Sequence, residues 1–251
     1  MKSQSATILS KIIDRLRSYV LQSSKVVFQF FTLRATNRPR FLLKLRDISL
    51  HLGQATVTTS FDRHYIYHIA WALRIIKLTN PELHTDISSS LHFVSSASLL
   101  VPTHFYDFRP AKLVLSGLTT GKADLNKLPF VDASVNSLSC MHVVEHIGLG
   151  RYGDRIDYDG DLKAAKELQR VLAPHGQLLF VVPVGAKSRI RFNADRTYTR
   201  EQVANMFTQL KLKEFALIPE SEDDGGLVIS PQNSLLDKQK YGCGCFWFIK
   251  E

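Results

Sequence analysis

The sequence predicts an α/β domain with a mostly parallel sheet covered by helices on both faces, preceded by a basic helical extension. From Leu83 onward, short apolar segments with strand character alternate with segments whose apolar residues recur at helical spacing. This alternation is typical of a parallel sheet whose strands are joined by helices. The chain has 251 residues, 45% of them hydrophobic and 22% charged, which indicates a globular protein rather than a disordered or fibrous one.

The distribution of charge divides the chain into two parts. Residues 1–77 carry thirteen Lys and Arg against three Asp, whereas residues 78–251 carry nineteen Lys and Arg against twenty Asp and Glu. The net charge of +9 therefore arises entirely in the N-terminal third. We expect a basic N-terminal extension over residues 1–58 and the α/β domain over residues 59–251.

The N-terminal extension has the pattern of an amphipathic helix from Leu9 onward. Its apolar residues at helical spacing are Leu9, Ile12, Ile13, Leu16, Tyr19 and Val20. A mixed apolar and basic stretch follows and is interrupted at Asn37-Arg38-Pro39. Such a helix can pack its apolar face on the main domain, or it can lie on an anionic membrane surface or on nucleic acid. No aromatic-basic recognition motif is present, so nucleic acid is not expected as a partner.

The α/β domain is predicted to begin with a helix over "TTSFDRHYIYHIAWALRIIKLTNP". Thr59 or Ser60 can cap it, Asp62 lies in its first turn, and Asn80-Pro81 ends it. A helix in this position can cover the opening of a ligand crevice.

Seven strands and three further helices are predicted after this point. The strands lie near 83–88, 101–107, 120–124, 135–142, 176–183, 212–218 and 243–249. The helices lie near 90–99, 161–173 and 199–210. In the helix at 161–173, Asp159 or Asp161 can form the start and Pro174-His175-Gly176 the end.

Polar residues stand where each of the first four predicted strands ends. They are Asp86, Ser88, Ser89 and Ser90 after the first strand, Asp107 and Arg109 after the second, Asp124 after the third, and His142, Glu145 and His146 after the fourth. In open parallel sheets, ligands bind beyond the carboxyl ends of the strands. An acid after the second strand suits ribose hydroxyls, and an acid after the third suits the exocyclic amine of adenine. The sequence therefore predicts a nucleotide-type site at this edge.

Several motifs resemble those of class I S-adenosylmethionine-dependent methyltransferases. They are "HTDISSS", "FYDFRP", "ADLNKLPFVDASVNSLSCMHVVEHI" and "ELQRVLAPHGQLLFVVPV". More narrowly, "EHIGLGRYGD", "FNADRTY" and "YGCGCF" resemble a methyltransferase-like family known only as a domain of unknown function. The resemblance covers roughly residues 60–251. It implies a Rossmann-like fold of seven strands in the order 3-2-1-4-5-7-6, with the last strand antiparallel.

The resemblance also implies which residues bind S-adenosyl-L-methionine. Asp86, Ser88 and Ser89 fall on the first loop, which wraps the methionine part of the cofactor, and Asp107 falls on the ribose-binding acid, with Arg109 beside it. Asp124 and Leu125 fall on the adenine position, and His142 falls at the end of the fourth strand, beneath the sulfonium.

The first loop departs from the methyltransferase pattern. "DISSS" contains no glycine, whereas the superfamily usually shows an acid followed by spaced glycines that allow positive φ and close backbone approach. Serine hydroxyls can act as donors in their place. The departure is the reason for an alternative interpretation, in which the chain is a catalytically inactive binding or scaffold protein with a methyltransferase fold.

The segment "EHIGLGRYGDRIDYDGD" after the fourth strand is the predicted acceptor pocket. Methyl transfer from a sulfonium needs alignment of the acceptor, and needs a base only if the acceptor retains its proton. Glu145 or His146 can act as that base, and Arg151, Asp154 and Asp157 can orient hydroxyl groups. Alternatively, Glu145 caps a helix and the loop is an ordinary turn. A polar small molecule or a glycan-type compound is the expected acceptor.

The sequence does not indicate a metal site. Cys243 and Cys245 form a C-x-C pair, but no second cysteine pair or nearby histidine pair completes a zinc set, so two buried thiols are expected. The acidic run from Asp154 to Asp161 lacks the glycine and terminal glutamate of an EF-hand loop. Three cysteines without a disulfide framework, no signal sequence and no long apolar run lead us to expect a cytoplasmic protein, with peripheral membrane contact through the basic extension as an addition.

Overall fold

A computed structural model describes residues 2–36 and 40–251, with side chains from residue 10 onward in the first of these ranges. The chain divides into two compact units, Met1–Ser60 and Phe61–Glu251, called unit 1 and unit 2 below. The break predicted at Asn37-Arg38-Pro39 lies outside the described residues.

Unit 1 consists mainly of one long helix. Helix α1 (Lys2–Ala35) is continuous, and a 3₁₀ turn (Leu45–Asp47) follows it. Several large apolar side chains of α1 are exposed, among them Leu21 and Phe28, which are 69% and 72% exposed. No helix in the described part of the chain is both long enough and apolar enough to cross a membrane.

Unit 2 is built on one eight-stranded sheet. Its strands are β1 (His84–Ile87), β2 (Thr103–Asp107), β3 (Leu118–Lys122), β4 (Val135–Met141), β5 (Leu172–Val184), β8 (Leu210–Ile218), β9 (Val228–Ile229) and β10 (Gly242–Lys250). Strands β6 (Arg189–Arg191) and β7 (Asp195–Thr197) form a separate antiparallel pair. The order in the main sheet is β3-β2-β1-β4-β5-β10-β8-β9.

The predicted fold class is confirmed, with one added strand. The neighbours from β3 to β5 are parallel, and β10 is antiparallel to both β5 and β8. The seven predicted strands have the expected order, and the unpredicted β9 extends the edge. Strand β5 begins at Leu172, which the sequence assigned to the preceding helix, because Leu172 pairs with Val135 as soon as that helix ends.

Five helices complete unit 2. They are α2 (Arg63–Thr79), α3 (Leu91–Ala97), α4 (Gly160–Val171), α5 (Arg200–Met206) and α6 (Asn233–Leu236). The cap of α2 is Asp62 rather than Thr59 or Ser60, since the Asp62 carboxylate accepts a hydrogen bond from the Tyr65 N–H. Asn80 ends α2 in the left-handed conformation.

The core consists of two apolar clusters, one on each face of the sheet. Side chains of α4 and α5 pack on one face around Phe180 and Phe246. Side chains of α2 and α3, including Trp71 and Phe93, pack on the other. Helices therefore cover both faces of the sheet, as predicted. A ligand site is then expected at the carboxyl ends of the parallel strands.

Candidate active site

A cleft of about 530 Å³ opens at the carboxyl edge of the parallel strands in unit 2. Its lining residues are Ser88, Asp107, Phe108, Arg109, Ala123, Asp124, Leu125, Asn126, His142, Val143, His146, Ile147, Gly148, Tyr152, Gly153, Asp154, Arg155, Asp157, Gly160 and Lys163. Its volume lies in the range of small-molecule and cofactor sites.

Most of the predicted site residues meet in this cleft, although they come from distant parts of the sequence. Those in the lining are Ser88, Asp107, Arg109, Asp124, Leu125, His142, His146 and Asp154. Those that do not line it are Asp86, Ser89, Glu145 and Arg151. The strand ends therefore converge as the parallel-sheet argument requires.

The first loop forms its turn without glycine. Ser88 has φ of 58°, in the left-handed region that glycine usually occupies. Its backbone N–H donates to the Tyr106 carbonyl at 2.8 Å, which ties the loop to β2. Ser88 thus adopts the backbone conformation for which the superfamily uses glycine.

Asp86 and Ser89 lie beneath the cleft, and direct contact with a cofactor, as the resemblance implied, does not fit their burial. Asp86 is fully buried, and its carboxylate accepts hydrogen bonds from the Ser139 hydroxyl and the Ser89 N–H. The Ser89 hydroxyl accepts from the Met141 N–H at 3.0 Å. Both side chains hold the first loop against β4 instead of facing a ligand.

A buried polar network continues from Asp86 through the middle of the sheet. The His84 ring lies between the Ser137 and Ser139 hydroxyls, at 2.8 and 2.9 Å. Burial raises the pKa of Asp86 to about 7, because the hydrogen bonds from Ser139 and Ser89 offset only part of the desolvation. Burial also lowers the pKa of His84 to about 3, so this imidazole is neutral at physiological pH.

Asp107 presents a carboxylate on one wall of the cleft at the end of β2. Its Oδ1 accepts a hydrogen bond from the Arg109 N–H at 2.6 Å, which fixes the side chain in a turn. Among the described residues none hydrogen-bonds its Oδ2, so that oxygen can accept from a ligand hydroxyl.

Asp124 and Leu125 follow β3 on the same side of the cleft. The Asp124 Oδ1 accepts from the Asn126 N–H at 2.9 Å, and Leu125 is only 5% exposed. An exposed acid beside a buried apolar side chain is suited to a flat heterocycle that carries an amino group.

His142 directly follows β4 and has φ of 58°. Its Nδ1 lies 2.9 Å from the Glu145 Oε1. The rings of His64, Tyr65 and His68, all on α2, surround it, with centroids between 5.1 and 5.5 Å from its own. The first turns of α2 therefore pack against His142.

Glu145 lies behind the cleft, and the structure does not support its predicted role as a general base in contact with an acceptor. Its side chain is 1% exposed, and its Oε1 faces two histidines, His142 and His146, at 2.9 and 3.8 Å. Its Oε2 is buried without a hydrogen-bond partner among the described residues. Glu145 is also not a backbone cap, and its position is that of a carboxylate that orients histidines.

His146 is the histidine best placed to accept a proton. Its Nδ1 lies 2.6 Å from the Ala194 carbonyl oxygen, which can only accept, so Nδ1 carries the hydrogen. The Nε2 atom is therefore the nitrogen without a hydrogen; it lies 3.8 Å from the Glu145 Oε1, and the residue lines the cleft.

The loop over residues 147–159 is fixed by internal contacts of its own backbone. The Asp154 carboxylate accepts from the N–H groups of Gly148 and Tyr152, at 2.6 and 3.3 Å, so it shapes the loop rather than facing a hydroxyl group. A Cβ on Gly148, whose φ is +78°, would lie 2.0 Å from the Asp157 carbonyl oxygen. Arg151 is exposed and lies outside the cleft lining, with its guanidinium over the Tyr152 ring. Its Nη1 donates to the Ala194 carbonyl oxygen at 3.3 Å and lies 3.2 Å from the His146 Nδ1.

Arg196 on β7 holds the same loop, and no pattern in the sequence marks it as a site residue. It is 4% exposed and donates to the carbonyls of Ile147 at 2.6 Å and Tyr158 at 3.0 Å. Its Nε lies 3.6 Å from the Asp161 carboxylate. The motifs "EHIGLGRYGD" and "FNADRTY" are thus in contact in the fold. Their separation along the chain gives no sign of this contact in the sequence.

The cleft also contains charged and aromatic residues that sequence analysis missed. They are Phe108, Tyr152, Arg155 and Lys163. The guanidinium of Arg109 lies over the Tyr152 ring, 5.0 Å from its centroid. Three of these residues lie on loops and Lys163 lies on the exposed side of α4, and exposed positions of this kind carry no motif that marks them before the fold is known.

Solved structures with the same fold are found across most of unit 2's length. The 1,6-didemethyltoxoflavin-N1-methyltransferase of Burkholderia thailandensis, solved with 1,6-didemethyltoxoflavin and S-adenosylhomocysteine, superposes with a TM-score of 0.51 at 10% identity, covering 73% of this chain and 78% of that one. The N-methyltransferase NodS of Bradyrhizobium japonicum superposes with a TM-score of 0.50 at 15% identity, covering 74% of this chain and 96% of that one. The YcgJ protein of Bacillus subtilis superposes with a TM-score of 0.50 at 15% sequence identity, covering 72% of this chain and 99% of that one. Unit 2 therefore has the fold of class I S-adenosylmethionine-dependent methyltransferases.

Residues 128–222 match a protein family described as "Caenorhabditis protein of unknown function, DUF268". This range includes the fourth-strand end, the 147–159 loop and the β6–β7 pair, in agreement with the narrower resemblance. A comparison with curated proteins gives no match.

Proposed function

We propose that unit 2 binds S-adenosyl-L-methionine in the cleft and transfers its methyl group to a polar small-molecule or glycan-type acceptor. The observation that carries the proposal is the convergence of Ser88, Asp107, Asp124 and His142 on one cleft at the carboxyl edge of the sheet. The Burkholderia thailandensis structure, which has the same fold, contains the demethylated form of this cofactor.

The residues of the cleft fit the parts of the cofactor. The unpaired oxygen of Asp107 would accept from a ribose hydroxyl, and Asp124 beside Leu125 would hold the adenine. Ser88 and the loop backbone would hold the methionine end. When bound, the cofactor supplies an electrophilic methyl group on a sulfonium.

The protein's own contribution is to position the acceptor and remove its proton. His146 Nε2 would accept that proton, and the hydrogen bond from Nδ1 to Ala194 would stabilise the resulting imidazolium. Arg155, Asp157 and Lys163 give this end of the cleft donors and acceptors for hydroxyl groups. These groups support a polyhydroxylated acceptor, for example a sugar.

The alternative is a catalytically inactive protein that uses the same cleft for binding. The glycine-free first loop favours it, because Ser88 carries a Cβ where the superfamily brings bare backbone close to its ligand. Methyl transfer distinguishes the two.

The test is incubation of the intact protein with methyl-labelled S-adenosyl-L-methionine and a panel of sugars, glycosides and small hydroxylated compounds. We expect transfer to at least one member of the panel, and a fall of roughly 100-fold in turnover for His146→Gln. His175→Gln, at an exposed position of β5 outside the cleft lining, is the matched control and should leave turnover unchanged. Cofactor binding without transfer to any compound would favour the inactive alternative.

For unit 1 we infer peripheral contact with an anionic membrane surface. Helix α1 exposes Leu16, Val20, Leu21 and Phe28 beside basic residues of the same helix, a combination that favours an anionic interface. Sedimentation with phosphatidylserine vesicles should show salt-sensitive binding, and binding that is equal to neutral vesicles would contradict it.

A further inference from the structure

A histidine-histidine-cysteine cluster lies beside the cleft in unit 2. It consists of His64 in the first turn of α2, His142 at the end of β4, and Cys243 near the start of β10. One nitrogen of each histidine and the Cys243 sulfur all lie within 4.8 Å of one another. His142 and Cys243 are 101 positions apart in the sequence, so no local motif marks the cluster.

The spacing of His142 and Cys243 is the spacing of two ligands on one ion. The His142 Nε2 lies 3.5 Å from the Cys243 Sγ. A tetrahedral zinc ion has Zn–S of about 2.3 Å and Zn–N of about 2.0 Å, which separates the two ligand atoms by roughly 3.6 Å. The pair is therefore already at ligand distance.

The carboxylate behind His142 completes the pattern of a metal-bound histidine. Such histidines nearly always donate their other ring N–H to a carboxylate or carbonyl. The His142 Nδ1 faces the Glu145 Oε1 at 2.9 Å, which leaves the Nε2 lone pair on the side of Cys243. The same contact fixes the tautomer that a metal ion requires.

The charge at this place also favours a cation. Glu145 is 1% exposed, its Oε2 has no hydrogen-bond partner in the described part of the chain, and its ion-pair partners there are histidines alone. A buried carboxylate without a permanent positive charge nearby is costly, and a divalent ion on His142 would supply that charge.

We propose that His64, His142 and Cys243 bind a divalent transition-metal ion of the zinc class, with Glu145 as the positioning carboxylate. One thiolate and two imidazoles select borderline-soft ions over Mg²⁺ and Ca²⁺. Three protein ligands leave a fourth position for water or a substrate atom. Because His142 also lines the cleft, the ion would border the site proposed for methyl transfer, but the proposal does not depend on that activity.

The test measures bound metal in the intact protein after chelation and reloading with Zn²⁺ or Co²⁺. We expect about one equivalent of Zn²⁺ by elemental analysis, and a thiolate-to-cobalt charge-transfer band in the Co²⁺ form. Cys243→Ala and His64→Ala should retain less than a tenth of an equivalent, and Glu145→Gln should bind 10- to 100-fold more weakly, as loss of an outer-shell partner does.

The matched control is Cys140→Ala, because Cys140 is equally buried and lies in the other apolar cluster. It should bind a full equivalent and show the same charge-transfer band. If Cys243→Ala does not fold by circular dichroism, His64→Ala, at a partly exposed position, decides the matter. Absence of stoichiometric Zn²⁺ in the unaltered protein, or full retention in a folded ligand variant, would overturn the proposal and leave a neutral thiol–imidazole contact.

Discussion

The Glu145 carboxylate and the His142 imidazole form a buried pair, with Oε1 2.9 Å from Nδ1 and side chains 1% and 6% exposed. A carboxylate can only accept, so it holds the hydrogen of His142 on Nδ1 and leaves Nε2 as a lone-pair donor. The residue at the end of β4 is therefore fixed in one tautomer by a neighbour three positions later in the sequence.

Glu145→Gln should release this tautomer. A glutamine amide can donate as well as accept, so we expect His142 to change from Nδ1–H to a mixture of tautomers, which histidine ¹⁵N chemical shifts of the metal-free protein measure directly. The affinity for S-adenosyl-L-methionine should stay within about twofold, since Glu145 does not line the cleft.

Glu201→Gln, on the exposed first turn of α5, is the control and should leave the His142 shifts unchanged. An unaltered tautomer in a folded Glu145→Gln protein would show that something other than the carboxylate orients His142.

Arg196→Lys should loosen the 147–159 loop. Lysine keeps the charge but cannot bridge the carbonyls of Ile147 and Tyr158 as the guanidinium does. We expect a loss of about 2–4 kcal/mol in the free energy of unfolding, because buried acceptors are left unpaired. Amide exchange at Asp157, whose N–H bonds to the Gly148 carbonyl, should accelerate at least tenfold.

The comparison for this loop is Arg189→Lys on the exposed strand β6, which should change neither measurement. If exchange at Asp157 stays slow in Arg196→Lys, the internal bonds of the loop are enough to hold it.

Asp86 should make stability depend on pH between about 4 and 7. Burial raises its pKa from 3.8 to about 7, so the folded state keeps a proton that the unfolded state releases in this range, and stability falls as the pH rises. The Asp86→Asn variant has no group that titrates at this position. The free energy of unfolding of the variant, relative to that of the unaltered protein, should therefore increase with pH, by at most about 4 kcal/mol at pH 7.5. Urea unfolding of both proteins at pH 4.5, 6 and 7.5 measures this, and a pH-independent difference would contradict the shifted pKa.

The sheet could be predicted because its strands are buried and short apolar segments alternate with helices. Strands β6, β7 and β9 were missed, since two or three residues carry no readable period and β6 is charged and exposed. The start of β5 at Leu172 was missed because pairing with Val135, a tertiary contact, ends α4 there.

Only those site residues that directly follow strands of the sheet could be predicted from the sequence. Asp107, Asp124 and His142 meet because parallel strands bring their carboxyl ends to one edge. The burial of Asp86 and Glu145 could not be predicted, since it depends on Ser139 and on the histidines packed around them. The roles of Arg196 and Cys243 depend on contacts between distant segments, which composition and spacing do not reveal.

The central claim is that the cleft holds S-adenosyl-L-methionine, and calorimetric titration of the intact protein with this cofactor tests it most directly. We predict saturable binding at one site, weakened at least tenfold by Asp107→Ala, which removes a charge-assisted hydrogen bond to the ribose worth about 1.5–3 kcal/mol. Asp132→Ala, at an exposed acid outside the cleft, should bind as the unaltered protein does. No binding by the folded, unaltered protein, or equal binding by Asp107→Ala, would contradict the account.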